Sequence, residues 1–163
     1  MTQVYVAAGS NVEPQKHLRQ ALDALQREFG NVTVSQAYRN PAVGFEGPDF
    51  INLVVGFATS KALEPLIAVL RSIELECGRP RLAPKWEPRS MDLDVLLYGM
   101  LVLSTRDYTV PRPDLLKRAY MLAPLAEIAP QVTHPVEGKT IAQLWAGFDQ
   151  NAHEMTRVEL YRA

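Results

Sequence analysis

Between two helix-like segments, the stretch Val32–Thr59 holds two extended segments and no helical period. That order constrains the fold more than any other feature. Upstream, Val4–Ala8 reads as a strand that Gly9-Ser10-Asn11 breaks with turn chemistry. A helix then starts near Pro14, where a missing N–H costs nothing. Leu18, Ala21, Leu22, Leu25 and Phe29 form one apolar stripe, and Gly30 ends it. Val32, Val34, Gln36 and Tyr38 alternate with polar residues and predict a second strand. Asn40–Asp49, with Pro41, Gly44, Gly47 and Pro48, is a loop, and Phe50–Thr59 is a third strand. A second helix covers Leu63–Cys77, with Leu66, Ile67, Leu70, Ile73 and Cys77 on one side and Gly78 as its cap. Met91–Tyr98 is a fourth strand. The order β-α-β-β-α-β predicts an α+β, ferredoxin-like antiparallel sheet with helices packed on it. A doubly wound parallel sheet would need a helix inside Val32–Thr59.

The remainder adds smaller pieces. Gly78–Arg89 holds three prolines, which forbid a helix or central strand, and predicts a long basic exposed loop. Pro111 and Pro113 mark another loop, Ala119–Ile128 and Thr140–Trp145 read as additional helices, and Met155–Tyr161 reads as an edge strand. The 163 residues suit one domain, 1–163, and a chain of this length buries roughly 70% of its unfolded surface. No apolar run approaches the length needed to cross a bilayer, and the N-terminus lacks a signal peptide's basic start and apolar stretch. The expectation is a cytoplasmic protein without membrane contact. Cys77 stands alone, so no internal disulfide can form, and it reads as a buried filler before Gly78. The net charge of −1 argues against a nucleic-acid partner. His17, on the polar side of the first helix, His134 and His153 read as structural or solvated.

Chemistry concentrates in Arg89-Ser90-Met91-Asp92-Leu93-Asp94-Val95-Leu96-Leu97. Residues i and i+2 of a strand share a face, so Asp92 and Asp94 point together, with Cα atoms roughly 6.5 Å apart. Leu93, Val95 and Leu97 point the other way. Two adjacent carboxylates repel, and hard divalent cations are the natural remedy; two ions about 3.5–4 Å apart fit such a pair. Isolated, a D-x-D on a solvated face would mean little. Here Arg79, Arg81, Lys85 and Arg89 crowd just upstream, and Trp86 among them argues against a plain solvated turn. Metal-holding carboxylates beside guanidiniums suit a polyphosphate. No glycine-rich phosphate loop of either common kind is present, so a nucleotide would be held by metals and side chains. Phe50 and Asn52 share a strand face and offer an aromatic plate beside an amide, although an ordinary strand start is the simpler reading of that pair.

The chain resembles the 6-hydroxymethyl-7,8-dihydropterin pyrophosphokinase family of folate biosynthesis over nearly its whole length. The marks are Ala7–Asn11 (AAGSN), Asp49–Asn52 (DFIN), Ile73–Arg81 (IELECGRPR), Lys85–Gly99 (KWEPRSMDLDVLLYG) and Val110–Pro130. The resemblance implies a ferredoxin-like transferase that moves the β,γ-pyrophosphoryl group of ATP to the pterin hydroxymethyl oxygen and releases AMP. It implies two Mg²⁺ ions on Asp92 and Asp94, with Arg79 and Arg89 stabilising the phosphates. Arg89 and Trp86 would ride on a closing loop. Glu74, Arg81, Trp86, Thr109, Arg112 and Arg118 would serve ATP. Phe50, Tyr120, Asn52, Trp86 and the segment Asn40, Pro41 and Val43 would hold the pterin.

Arg112 departs from the family pattern, which has His after this proline, and makes a permanent cation of that position. Asp107 stands where some members carry Arg. Activity is expected to survive with altered nucleotide affinity and pH dependence. The competing readings are a divergent paralogue that binds nucleotide or pterin with an altered substrate or little activity, and a ferredoxin-like RNA-binding module. The paralogue would bind MgATP without releasing AMP. The RNA module is opposed by the near-neutral charge and the lack of an aromatic RNP pattern. The expected partners are small-molecule substrates, with the protein a monomer.

Overall fold

The structure is a computed structural model and describes residues 1–43, 46–78, 91–151 and 153–160. The elements, in order, are β1 (Thr2–Ser10), α1 (Pro14–Phe29), β2 (Thr33–Val34), β3 (Ala37–Asn40), β4 (Phe50–Thr59), α2 (Leu63–Glu76), β5 (Asp92–Tyr98), β6 (Leu103–Ser104), β7 (Thr109–Val110), α3 (Ala119–Ile128), α4 (Ile141–Ala146) and β8 (Thr156–Val158). A 3₁₀ turn at Pro113–Leu116 precedes α3. The main sheet runs β5-β1-β4-β3-β8, with β2 paired to β4. Every pairing is antiparallel. Its strands β5, β1, β4 and β3 have the order expected of a split βαββαβ core.

The sheet is covered on both faces. Val4, Val6, Ala8, Leu53, Val55, Phe57, Leu93 and Val95 pack against the apolar stripes of α1 and α2. Phe29 of α1 stacks on Phe57 at 4.1 Å between ring centroids. Tyr5, Ala7, Val54, Leu96 and Leu97 pack on the other side against Met121, Leu122 and Leu125 of α3 and Ile141 of α4. Tyr38 and the Gln36 backbone N–H both donate to Glu127, tying the sheet to α3. Cys77 is buried in the α1/α2 layer, as expected of a filler.

Several sequence expectations need correction. The strand through Val32–Tyr38 is two strands. Val34 stands opposite Val55 and Tyr38 opposite Asn52, so four steps on one side meet three on the other. The extra residue makes a bulge at Ser35, whose N–H and hydroxyl oxygen both bond to the Val54 backbone at 2.9 Å. β1 continues through Gly9 and Ser10 instead of turning there. In β5, Tyr5 pairs with Leu97 but Val6 with Val95, leaving Leu96 as an extra residue. The bulge turns Leu97 to the face opposite Leu93 and Val95. Asp92 and Asp94 precede it and keep their shared face. His17 is buried, not on a polar side; its Nδ1 donates to the Val12 carbonyl at 2.5 Å. Thr140 is the N-cap of α4, forming a reciprocal capping box with Gln143. The hairpin of β6 and β7 has no counterpart in the expectations; Thr105 Oγ1 accepts from the N–H groups of Asp107 and Tyr108 to close it. The C-terminal edge strand is present as β8, shorter than expected.

Candidate active site

The register of three strands lays out the floor of a cavity on the α3 side of the sheet. Asp92 pairs with Gly9, and Gly9 pairs with Asn52. Asp94 pairs with Ala7. Asp92 on β5 thus stands about 10 Å from the amide on β4 with Gly9 between them, and Asp94 lies two residues further along β5 beside Ala7. Phe50 and Asn52 of β4, with Asn40 and Val43, line one end of the cavity. Asp92, Asp94, Arg112 and Asp114 line the other, and Arg118, Tyr120 and Met121 come from α3 and its N-cap. At the amide end, Asn52 Nδ2 donates to Asn40 Oδ1 at 2.5 Å, and Asn40 Nδ2 donates to the Pro41 carbonyl at 3.0 Å. This chain of amides fixes the orientation of Asn52. Burial pushes the Tyr120 phenol up from its ordinary value.

The acidic end is electrostatically tense. Asp94 is 14% exposed, and its Oδ1 lies 3.5 Å from Arg112 Nη1 and 3.7 Å from Arg71 Nη2. Burial pushes its carboxyl up to about 7, and Asp92 pushes the same way; Arg112 and Arg71 oppose them. At Asp94, burial and the neighbouring Asp92 together outweigh the two guanidiniums. Arg112 also reaches Asp114 at 3.4 Å, and its buried Nε has no hydrogen-bond partner among the described residues. Among the described residues no cluster of three or more metal-ligating side chains occurs. Two carboxylates alone suit a hard cation that takes its remaining oxygens from phosphate and water.

Behind the pair, α2 reaches around the edge of the sheet. Glu74, nearly fully buried, accepts from the Leu93 N–H at 2.7 Å and from Arg71 Nη1 at 2.5 Å. Arg71 Nη1 also donates to the Leu93 carbonyl at 3.0 Å. Burial pushes the Glu74 carboxyl up, against the lowering effect of Arg71 and the Leu93 N–H. Burial also disfavours the Arg71 charge, but Glu74 and the aspartates raise its pKa overall.

Of the residues expected from sequence, Asp92, Asp94, Arg112, Arg118, Asn40, Val43, Phe50, Asn52 and Tyr120 converge on this cavity. Glu74 lies behind β5 against Leu93. Thr109 lies on the β6–β7 hairpin, within 3.1 Å of the Ser104 hydroxyl, and Pro41 is exposed; neither lines the cavity. Arg79, Arg81, Lys85, Trp86 and Arg89, and the basic loop expected there, lie outside the described residues. Sequence reasoning missed Gly9, Arg71, Asp114 and Met121. Arg71 and Glu74 did carry a signal, an opposite-charge pair at i,i+3 on a predicted helix. His134 is structural, as expected: its Nδ1 accepts from the Val136 and Glu137 N–H groups.

Residues 5–130 match the family model of 7,8-dihydro-6-hydroxymethylpterin-pyrophosphokinase. A Pseudomonas aeruginosa 2-amino-4-hydroxy-6-hydroxymethyldihydropteridine pyrophosphokinase is 40% identical over 147 residues, covering 88% of this chain and 90% of its own. The Bacillus subtilis protein of the same name is 36% identical and covers 91% of this chain and 95% of its own. Among solved structures, Plasmodium falciparum wild-type HPPK-DHPS superposes with a TM-score of 0.69 over 89% of this chain at 13% identity. This chain spans 44% of that longer one, and the likeness is one of fold.

Proposed function

The chain belongs to the 7,8-dihydro-6-hydroxymethylpterin-pyrophosphokinase family, and we propose that it transfers the β,γ-pyrophosphoryl group of ATP to the hydroxymethyl oxygen of 6-hydroxymethyl-7,8-dihydropterin, releasing AMP, in folate synthesis. The observation that carries this reading is the shared floor of the cavity. An amide–aromatic end at Asn52 and Phe50 and an acidic end at Asp92 and Asp94 are joined across Gly9 in one strand register. A flat heterocycle at one end and a polyphosphate at the other would meet above Gly9 and Ala7.

Asn52, oriented by Asn40, hydrogen-bonds the polar edge of the pterin. Phe50 and Tyr120 flank its ring faces. Asp92 and Asp94 would hold Mg²⁺, which would supply positive charge to offset that of the phosphates. Arg112 and Arg118 add fixed guanidinium charge beside the phosphates. Arg79, Arg81 and Arg89 supply further cations toward the transferred group, Trp86 contacts the substrates, and Glu74 and Thr109 serve the nucleotide side. Transfer of this kind needs alignment of the attacking oxygen and charge neutralisation more than a covalent nucleophile. The protein acts as a monomer on small-molecule substrates.

The paralogue reading is not favoured, because full-length relatives at 40% and 36% identity carry the pyrophosphokinase name. A crystal grown with a nonhydrolysable ATP analogue and Mn²⁺ tests the assignment. Anomalous density between the phosphates and both aspartates is expected. Phosphates bound away from Asp92 and Asp94 would overturn it.

A further inference from the structure

Among the described residues β5 is the outer strand of the sheet, and β1 is its only strand neighbour. An outer strand leaves every second residue's backbone N–H and C=O directed away from the sheet, to be met by water or by another group. At Leu93 both groups are met by one ion pair from α2. The N–H donates to Glu74 at 2.7 Å, and the carbonyl accepts from Arg71 at 3.0 Å. Leu93 is the residue between Asp92 and Asp94. The same guanidinium has its other terminal nitrogen 3.7 Å from Asp94 Oδ1. It therefore touches the carbonyl of the residue between the two acids, one of the acids, and the buried carboxylate that accepts from the N–H of that same residue.

We propose that Arg71 is a positioning residue for the Asp92–Asp94 pair: with Glu74 it takes the place of a neighbouring strand at Leu93 and fixes the backbone from which both carboxylates project. The role rests on the pyrophosphokinase reading for its consequence in turnover, but not for its structural content. Without the guanidinium, the buried Glu74 carboxylate loses a charge-assisted partner and the Leu93 carbonyl loses its donor. The edge at Leu93 then loosens, and the spacing of the two acids with it. Residues that orient a ligating group commonly change activity by about 10–100-fold when removed.

The test uses the full chain with Arg71→Met and Arg71→Lys, measuring backbone amide exchange by NMR, thermal melting and AMP-release kinetics. In Arg71→Met the Leu93 amide should exchange at least tenfold faster, while the Val6 and Val55 amides in the sheet centre keep their protection. Turnover should fall by about 10–100-fold with the KM for ATP changed less than threefold. Arg71→Lys keeps a charge beside Glu74 but not the fork, and should recover part of both effects; it also serves if Arg71→Met does not fold. Adding Glu74→Gln to Arg71→Met should speed Leu93 amide exchange no further than the worse single change, since both act through Leu93. Unchanged Leu93 exchange in the variants would overturn the proposal. So would an effect confined to the KM for ATP, which would make Arg71 a nucleotide contact. If the unaltered chain releases no AMP, the pyrophosphokinase reading fails, while Leu93 exchange still decides the clamp.

Discussion

Gly9 and Asn52 face each other across β1 and β4 so closely that a β-carbon on Gly9 would stand 2.4 Å from the Asn52 side-chain oxygen. No side chain fits there without moving Asn52. Gly9→Ala should therefore displace the amide from its bond to Asn40 and place a methyl on the cavity floor. The expected result is a KM for the pterin raised at least tenfold, a KM for ATP changed far less, and a stability loss of about 1–3 kcal/mol from overpacking. Steady-state kinetics with each substrate varied, alongside a melting curve, check it. An unchanged pterin KM would mean that Asn52 does not meet the substrate.

Asp92→Ala and Asp94→Ala should each abolish nearly all turnover and leave the protein folded. Leu93 and Val95, on the other face of β5, carry the packing and are untouched. Loss of one carboxylate should also weaken divalent-cation binding in the presence of a nonhydrolysable ATP analogue, measurable by calorimetry. Near-normal AMP release from either variant would contradict the assignment of the pair.

The shared direction of these two acids was legible because the period-2 rule needs only local sequence. The same rule failed at Leu97, three residues later, because the bulge at Leu96 resets the alternation and nothing in the local sequence announces it. Gly9 was read as a turn breaker. Its actual reason, the approach of Asn52 from another strand, lies 43 positions away in sequence and depends on the β1–β4 register. His17 sits on the helix face that a simple stripe of leucines and alanines would leave to water; the Val12 carbonyl, itself outside the helix, provides the partner that lets it be buried. The two long helices, α3 and the edge strand near the C-terminus followed from periodicity and punctuation alone. The Arg71–Glu74 contact with Leu93 needed the packing of α2 against an open sheet edge, which periodicity does not report.

The carboxyl of Asp94 is raised to about 7 in the folded protein, above its value of 3.8 in an unfolded chain. A raised carboxyl favours the protonated native state. In metal-free protein its contribution is fully present below about pH 4 and is lost as pH rises through about 7. Asp94→Asn should remove that loss. At pH 8 in chelator the variant should be more stable than the unaltered protein by about 1–3 kcal/mol, and the difference should shrink toward pH 5. Denaturant melts at the two pH values read it directly. Equal stabilities at pH 8 would show that the surrounding guanidiniums compensate the charge completely.

Arg112 holds the Asp94 carboxyl down by proximity, at 3.5 Å. Arg112→Ala should let it rise further, moving the acidic limb of the kcat/KM profile alkaline by about half a pH unit to one unit and raising the KM for ATP. Arg112→Lys, which keeps the charge, should move the limb less. An Arg112→His variant that gains turnover over a nearly inactive parent would instead revive the paralogue reading.

In the proposed reaction ATP and the pterin meet above Gly9, between an acidic and an amide end. Its most direct measurement is AMP release from ATP with purified protein, with and without 6-hydroxymethyl-7,8-dihydropterin, Mg²⁺ and chelator. The expected result is one AMP formed per pyrophosphorylated pterin, release that requires the pterin, loss with chelator and recovery with added Mg²⁺. AMP release independent of the pterin, or none under any of these conditions while MgATP binds, would contradict it.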